Sequence, residues 1–208
     1  MRPTPNLSYP LCMKKLILFF GLLLPLGASA QDFTRLNLLG VIKNGGDPEI
    51  IANWCVNGEE VGTADYGKGR NALHMALTFN NHEASEVLIH RCGFEAGLAD
   101  GRDKSPIYLA RKNPETVKLL LKNGADPNHV RHKLDGSGGI WQSVPLIYEL
   151  ALNDVPRETL VLVLEAGANP HVKNSDGVTP MQAAEMMERQ SNIEVLASFS
   201  HVGQDSEN

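Results

Sequence analysis

The sequence predicts an all-α fold: a solenoid of about five stacked helix-turn-helix repeats with short β-turn fingers. Three observations predict it. First, Val117–Asn128 reads as the end of an apolar helix, a glycine stop at Gly124, and a turn at Asp126-Pro127-Asn128 that cannot continue the helix. Second, the same phrase returns at Val161–Pro170, with its glycine, Gly167, 43 residues after Gly124. Third, apolar anchors at Leu39, Leu73, Ile107, Leu146 and Met181 follow one another at spacings of 34, 34, 39 and 35. Repetition at this period marks units that bury their apolar faces on one another.

The first thirty residues stand apart. Lys14-Lys15, the apolar run Leu16–Leu24 and Ala28-Ser29-Ala30 follow the order of a secretory signal peptide over 13–30, with cleavage expected after Ala30. The run is shorter than the roughly 20 apolar residues of a membrane span, so no stable membrane anchor is expected after cleavage. Residues 1–12 read as an extension ahead of the better start at Met13, residues 31–203 as the repeat domain, and 204–208 as a polar tail. Loss of the leader removes Arg2, Lys14 and Lys15 and no acid, moving the formal net charge from −5 to −8. An acidic exported domain is a poor match for nucleic acid or anionic membranes and a better one for basic protein surfaces. Cys55 and Cys92 remain in the mature chain. Their pairing stays open. Separate core residues are favoured, because the two stand at different offsets within their repeats and a disulfide needs restrictive geometry.

Each repeat follows from its own signals. In the first (33–68), an apolar helix from Phe33 to Lys43 breaks at Asn44-Gly45-Gly46, and Asp47-Pro48-Glu49 opens a second helix with cap, proline and acid in order. The second (69–103) starts at Asn71–Leu77, and its second helix follows His82-Glu83 and stops at Gly93. The third (104–142) starts at Ser105-Pro106, restarts at Pro114-Glu115, and ends at Gly124. It is short, 17 residues from Ile107 to Gly124, which we assign to a clipped turn near Lys112-Asn113. The long stretch His129–Gln142 after it, with Gly136-Ser137-Gly138-Gly139, reads as a flexible finger insertion. The fourth (143–177) opens at Val144, with Glu149 where an alanine would be expected. That spacing implies either a more open helix pair or a side chain reaching out of the groove. The fifth (178–202) opens at Thr179-Pro180 and runs to Phe199.

Thr179–Ala184 (TPMQAA) and Asn71–Ala76 (NALHMA) resemble the T-P-L-H-x-A phrase of ankyrin repeats, and Gly124–Asn128 and Gly167–Pro170 resemble the ankyrin turn from second helix to finger. The likeness runs from about Phe33 to His201. It implies two antiparallel helices and a β-turn finger per repeat, and a histidine, His74, that hydrogen-bonds backbone in the neighbouring turn. It also implies a binding module rather than an enzyme.

The residues agree with that last implication. No G-x-S-x-G, H-E-x-x-H or P-loop is present. His129 and His132 have a zinc-like spacing but lack nearby further ligands, so no metal, cofactor or catalytic residue is expected. A binding role places the recognition residues on the fingers: Tyr66, Lys68 and Arg70 on the first, Arg102 on the second, Arg131, His132 and Trp141 on the third, Lys173 on the fourth. Trp141 is the leading candidate, being an aromatic on a glycine-rich loop. Trp54 is assigned to the core. The layout of leader plus repeats resembles exported bacterial ankyrin-repeat proteins, which implies a periplasmic or secreted protein, monomeric when free, that binds another protein. An immunity or inhibitor protein against a toxin is the first reading, and a scaffold for an enzyme such as catalase in oxidative-stress protection the alternative.

Overall fold

Helices dominate because most of the chain alternates apolar helical faces with proline or asparagine starts and glycine stops. The computed structural model describes residues 38–56, 65–134 and 139–200, with Val56, Ile140 and Trp141 as backbone only. The leader, its cleavage site at Ala30, the extension and the tail lie outside the described residues, as does the end of the first repeat's second helix at Gly58. The described residues belong to one compact unit, 35–208.

Helix α1 covers residues 38–44, and α2 spans Pro48–Val56. The next pairs are α3 (Ala72–Thr78) with α4 (His82–His90) and α5 (Pro106–Ala110) with α6 (Pro114–Lys122). A β-hairpin follows, β1 (Val130–Leu134) and β2 (Ile140–Pro145), then α7 (Leu146–Leu152) with α8 (Arg157–Glu165) and α9 (Pro180–Met186) with α10 (Gln190–Ser200). First helices pack on first helices of neighbouring pairs (α3 on α5, α5 on α7, α7 on α9), and second helices on second helices (α2 on α4, α4 on α6, α6 on α8, α8 on α10). One core runs the length of the stack, from Leu38, Ile42 and Ile51 through Leu73, Leu88, Ile107 and Leu120 to Leu160, Val195 and Leu196, all buried. Each buried leucine or isoleucine contributes about 2 kcal/mol of transfer free energy.

The apolar helix that first suggested repeats is α6. It packs against α4, α5 and α8, which is why Val117 and Leu120 are fully buried while Leu119 and Leu121 also lie against the core. Its end is a Schellman motif. The Gly124 N–H donates to the Leu121 carbonyl (3.2 Å), and the Ala125 N–H to the Leu120 carbonyl (3.0 Å). Gly124 has φ +88°, a conformation that a Cβ would strain. The pattern recurs at Gly167, where Ala168 N–H donates to Val163 (3.1 Å). Helix starts are capped as their residues dictate. Asn71 with His74 and Thr179 with Gln182 form capping boxes, and Ser105 and Asn113 cap α5 and α6.

Between pairs, a polar side chain at the start of a second helix reaches back to the preceding turn. Asn81 donates to the Ile42 carbonyl (2.9 Å), Thr159 to Arg111 (3.0 Å), and Asn192 to Ala151 (3.0 Å) and Asn153 (3.1 Å). Buried carbonyls at the helix ends thereby gain donors.

Several expectations are corrected. Cys55 and Cys92 form a disulfide, with Cα atoms 5.3 Å apart. Their offsets within successive repeats differ by three residues, close to one helical turn. Helix α2 is thus still running at Cys55 where α4 has already ended before Cys92. Of the three residues by which the third repeat is short, two fall on its first helix and one before its stop glycine, none on the turn. Helix α5 has five residues against seven in α3, while residues 79–81 and 111–113 form turns of equal length. Residues 130–134 and 140–145 in and after the inserted stretch pair as antiparallel strands, so the described residues are helical with one two-stranded sheet. Finally, Pro145 holds the cap position that Ser105 and Thr179 hold elsewhere. The fourth anchor is therefore Ile147, not Leu146, and Glu149 stands one place before the small-residue position.

Candidate functional site: the finger edge and the hairpin

The fingers are built by short polar side chains that bond their own backbone. Asp65 accepts from the Gly67 N–H (2.8 Å), Asp100 from Arg102 (3.0 Å) and Lys104 (3.0 Å), and Asn174 from Asp176 (3.0 Å) and Val178 (2.9 Å). Fingers one and two meet backbone to backbone. The Gly101 N–H donates to the Lys68 carbonyl (2.8 Å), and a Cβ on Gly101 would lie 2.5 Å from that oxygen. Only glycine fits there.

Arg70 and Asp100 lock the same seam. Arg70 Nε donates to Asp100 Oδ2 at 2.9 Å, and the Asp100 side chain is fully buried. Burial pushes the Asp100 carboxyl upward. The donors outweigh it (the Lys104 and Arg102 N–H groups and the Arg70 guanidinium), and its pKa is held below the ordinary carboxylate value. Arg70 thus clamps the seam between fingers one and two. Below it, His74 is buried. Its Nδ1 accepts from the Asn71 N–H (3.1 Å), so Nε2 carries the proton and donates to the Leu98 carbonyl (2.9 Å). This is the backbone role that the ankyrin resemblance implies for it. Burial lowers its pKa.

The hairpin is fixed at its base by both neighbours. Its strands pair from Val130↔Pro145 to Lys133↔Gln142, then shift so that Leu134 faces Ile140 and Trp141 is the extra residue of a bulge. Toward finger two, Asp103 Oδ2 accepts from the His132 N–H (2.7 Å), and His129 Nε2 lies 2.9 Å from the Asp103 carbonyl. Toward finger four, the Ser175 N–H donates to the Ser143 carbonyl (3.2 Å) and Gln142 to Asp176 (3.4 Å). The two strands supply their own ladder; Gly136, Ser137 and Gly138, read as flexible, lie outside the described residues.

Arg131 engages its charge within the chain. It forms an ion pair with Glu149 of α7, and both side chains are largely buried, 13% and 8% exposed. Glu149 therefore does not reach out of the groove; it ties the hairpin to the first-helix layer. Burial raises its pKa, opposed by Arg131, then Lys104, Lys133 and His129. Around it, Lys104 Nζ lies 4.6 Å and Arg111 Cζ 4.4 Å from the centre of the Tyr108 ring.

Of the remaining expected recognition residues, Lys68, Arg102, His132 and Lys173 are exposed. Tyr66 is half-buried against the core. Trp141 sits on β2 at the bulge, and its side chain lies outside the described residues. Trp54 packs against the core as expected. His129, His132 and His171 are used in finger and turn contacts, and among the described residues no three His, Cys, Asp or Glu side chains come together. Sequence reasoning singled out Glu149 without its partner Arg131, and missed Tyr108 and Arg111.

A stack of helix pairs with an ordered edge of fingers is a scaffold for recognition, with side chains displayed on a rigid frame rather than gathered round a reacting atom. Residues 38–131 match the family model of ankyrin repeats, in three copies, so this segment carries ankyrin repeats, which indicate a protein–protein interaction module and are typically non-enzymatic. A Danio rerio protein named as a provisional palmitoyltransferase, ZDHHC13, is 27% identical over 134 residues, which are 63% of this chain and 19% of that protein. An Arabidopsis thaliana protein named as a provisional E3 ubiquitin-protein ligase, XBAT35, is 31% identical over 115 residues, 54% of this chain and 23% of that protein. The matched segments thus span about a fifth of the length of these curated relatives.

Proposed function

We propose that this chain is an exported ankyrin-repeat module of the periplasm or extracellular space, monomeric when free, that binds another protein through its finger edge. The two helix pairs after residue 131 are read as further repeats, making five. The observation that carries the binding role is the hairpin. It is held at its base by Asp103 on one side and by Ser175 and Asp176 on the other, and it presents a bulge at Trp141. Bulges re-aim side chains next to binding surfaces. Two features support export: the leader pattern over 13–30, and the Cys55–Cys92 disulfide, which belongs to oxidising compartments. Among protein partners, a toxin or effector neutralised by occlusion is the first reading, with support of a periplasmic enzyme such as catalase kept as the alternative.

The mature chain, used as bait against periplasmic extract and against effectors encoded beside its gene, is expected to capture one protein. Trp141→Ala should weaken that capture by about 2 kcal/mol without loss of helicity. Equal capture by variant and parent would remove the hairpin from the interface. Protection of cells from the captured effector supports the immunity role; peroxide sensitivity of a deletion strain, without such protection, replaces it by the scaffold role. Reduction of the disulfide should lower unfolding stability by about 3 kcal/mol. Full stability in the reduced state would take away the compartment argument.

A further inference from the structure

The chain as a whole is acidic, yet the seam between finger two, α5 and the hairpin is locally basic. Lys104 ends finger two, Arg111 caps α5, and both lie over the one Tyr108 ring, at 4.6 and 4.4 Å. Two like charges on one ring repel each other. No carboxylate pairs with either cation among the described residues. Arg131 borders the same seam, and its charge is taken up by Glu149. The Nε donors of Arg111 and Arg131 are both buried and have no hydrogen-bond partner among the described residues. Asp100, the other acid near Lys104, is already engaged by Arg70 and two backbone donors. Glu149 and Asp100 act on Lys104 only at a distance, and Arg111 Nη1 is bonded to the Tyr108 carbonyl (3.0 Å); buried donors without a partner beside two close cations become favourable once a carboxylate enters. A half-buried tyrosine adds an apolar floor to the site.

From this arrangement we infer that the Lys104–Tyr108–Arg111 seam is a binding site for an acidic segment of a protein partner, which places one or more Asp or Glu carboxylates between Lys104 and Arg111 against the Tyr108 ring. The inference rests on the reading of the stack as a protein-binding module and names the chemistry of what that module takes. A peptide carboxylate fits better than a nucleic-acid strand. The seam offers a few cations on a chain of formal net charge −5, too few to neutralise the successive phosphates of a strand.

The test uses the mature chain with its disulfide intact and three probes at low salt: a fluorescein-labelled ten-residue Asp/Glu-rich peptide, a single-stranded oligonucleotide of equal charge, and vesicles containing anionic lipid. The acidic peptide should bind and be released by salt. Lys104→Gln and Arg111→Gln should each weaken it about tenfold, with unchanged melting, and the charge-keeping Lys104→Arg should restore it. Lys104 lies outside the helices, so Lys104→Gln stays informative if Arg111→Gln disturbs α5. Equal peptide affinity in the parent and Lys104→Gln, or tighter binding of the oligonucleotide or the vesicles, overturns the site. The two readings fail separately. If a natural partner is captured equally well by Lys104→Gln and by the parent, the module reading stands and the acidic-segment site falls. If nothing is captured but the peptide binds as described, the site stands without its module.

Discussion

Asp100 in finger two and Glu149 in α7 are both buried carboxylates, each gripped by an arginine from a neighbouring element, yet folding moves them in opposite directions. Asp100 accepts from the backbone N–H groups of Arg102 and Lys104 as well as from Arg70, and its charged form is favoured. Glu149 has Arg131, with Lys104 and Lys133 near it, and burial prevails. The number of fixed donors, not the presence of a salt bridge, decides which buried charge the fold holds easily. The regular finger builds its donors into its own turn. The hairpin, inserted into the same frame, must import one from a side chain.

Arg131→Met is the most severe way to break this contrast. It leaves Glu149 buried and unpaired, and chemical denaturation at pH 8 should show a loss of about 3 kcal/mol or more. Glu149→Leu made together with Arg131→Met should recover most of it; no recovery would show that the pair is not the cause. Arg70→Met should cost less, about 1–2 kcal/mol, because Asp100 keeps its backbone donors. A larger loss at Arg70 than at Arg131 would invert the comparison.

The dependence on pH sharpens it further. The folded pKa of Asp100 is lowered, so its contribution is present above the ordinary value of 3.8 and lost as pH falls through the folded pKa. That of Glu149 is raised, so stability declines as pH rises from the ordinary 4.5 through the folded value. The Arg131→Met deficit should therefore shrink on mild acidification, already above pH 4.5, whereas the Arg70→Met deficit should persist until pH falls below about 3.8. Parallel profiles for the two variants would remove the distinction.

The smallest effect is expected at His74, the third buried titrating group. Its pKa is lowered from 6.5, so its contribution is complete above that pH and declines as pH falls below it. His74→Gln should flatten this limb at a cost of about 1 kcal/mol. Gln182 already closes the equivalent capping box in α9. An unchanged slope between pH 7 and 5 would place the titration elsewhere.

Most of the frame was legible because it is written locally. Gly124 and Gly167 stop their helices by conformation alone, and Asn71, Ser105 and Thr179 start theirs through a neighbour three residues on. What was not legible depends on pairs far apart in the chain. Arg70 and Arg131 look like exposed finger cations until Asp100 and Glu149 are brought beside them. Cys55 and Cys92 looked mismatched because a single turn of helix separates their repeat positions. The hairpin was legible in part. Val130–Leu134 and Ile140–Pro145 flank a glycine-rich tip, a hairpin signature, but within a repeat context the glycines read as a slack insertion. The one-residue shift at Pro145 follows from that hairpin, whose second strand runs straight into α7.

The Cys55–Cys92 bond also bears on how the molecule opens. A stack of nearest-neighbour units loses structure from its ends, and each end unit would ordinarily detach by itself. Here the amino-terminal helix pair is covalently fastened to the next, so α2 cannot peel away while α4 stays in place. Backbone amides of the two helices should therefore exchange with deuterium as a single cooperative block in the oxidised protein and as two blocks after reduction, which turns the first pair from a fraying edge into a hinged clasp.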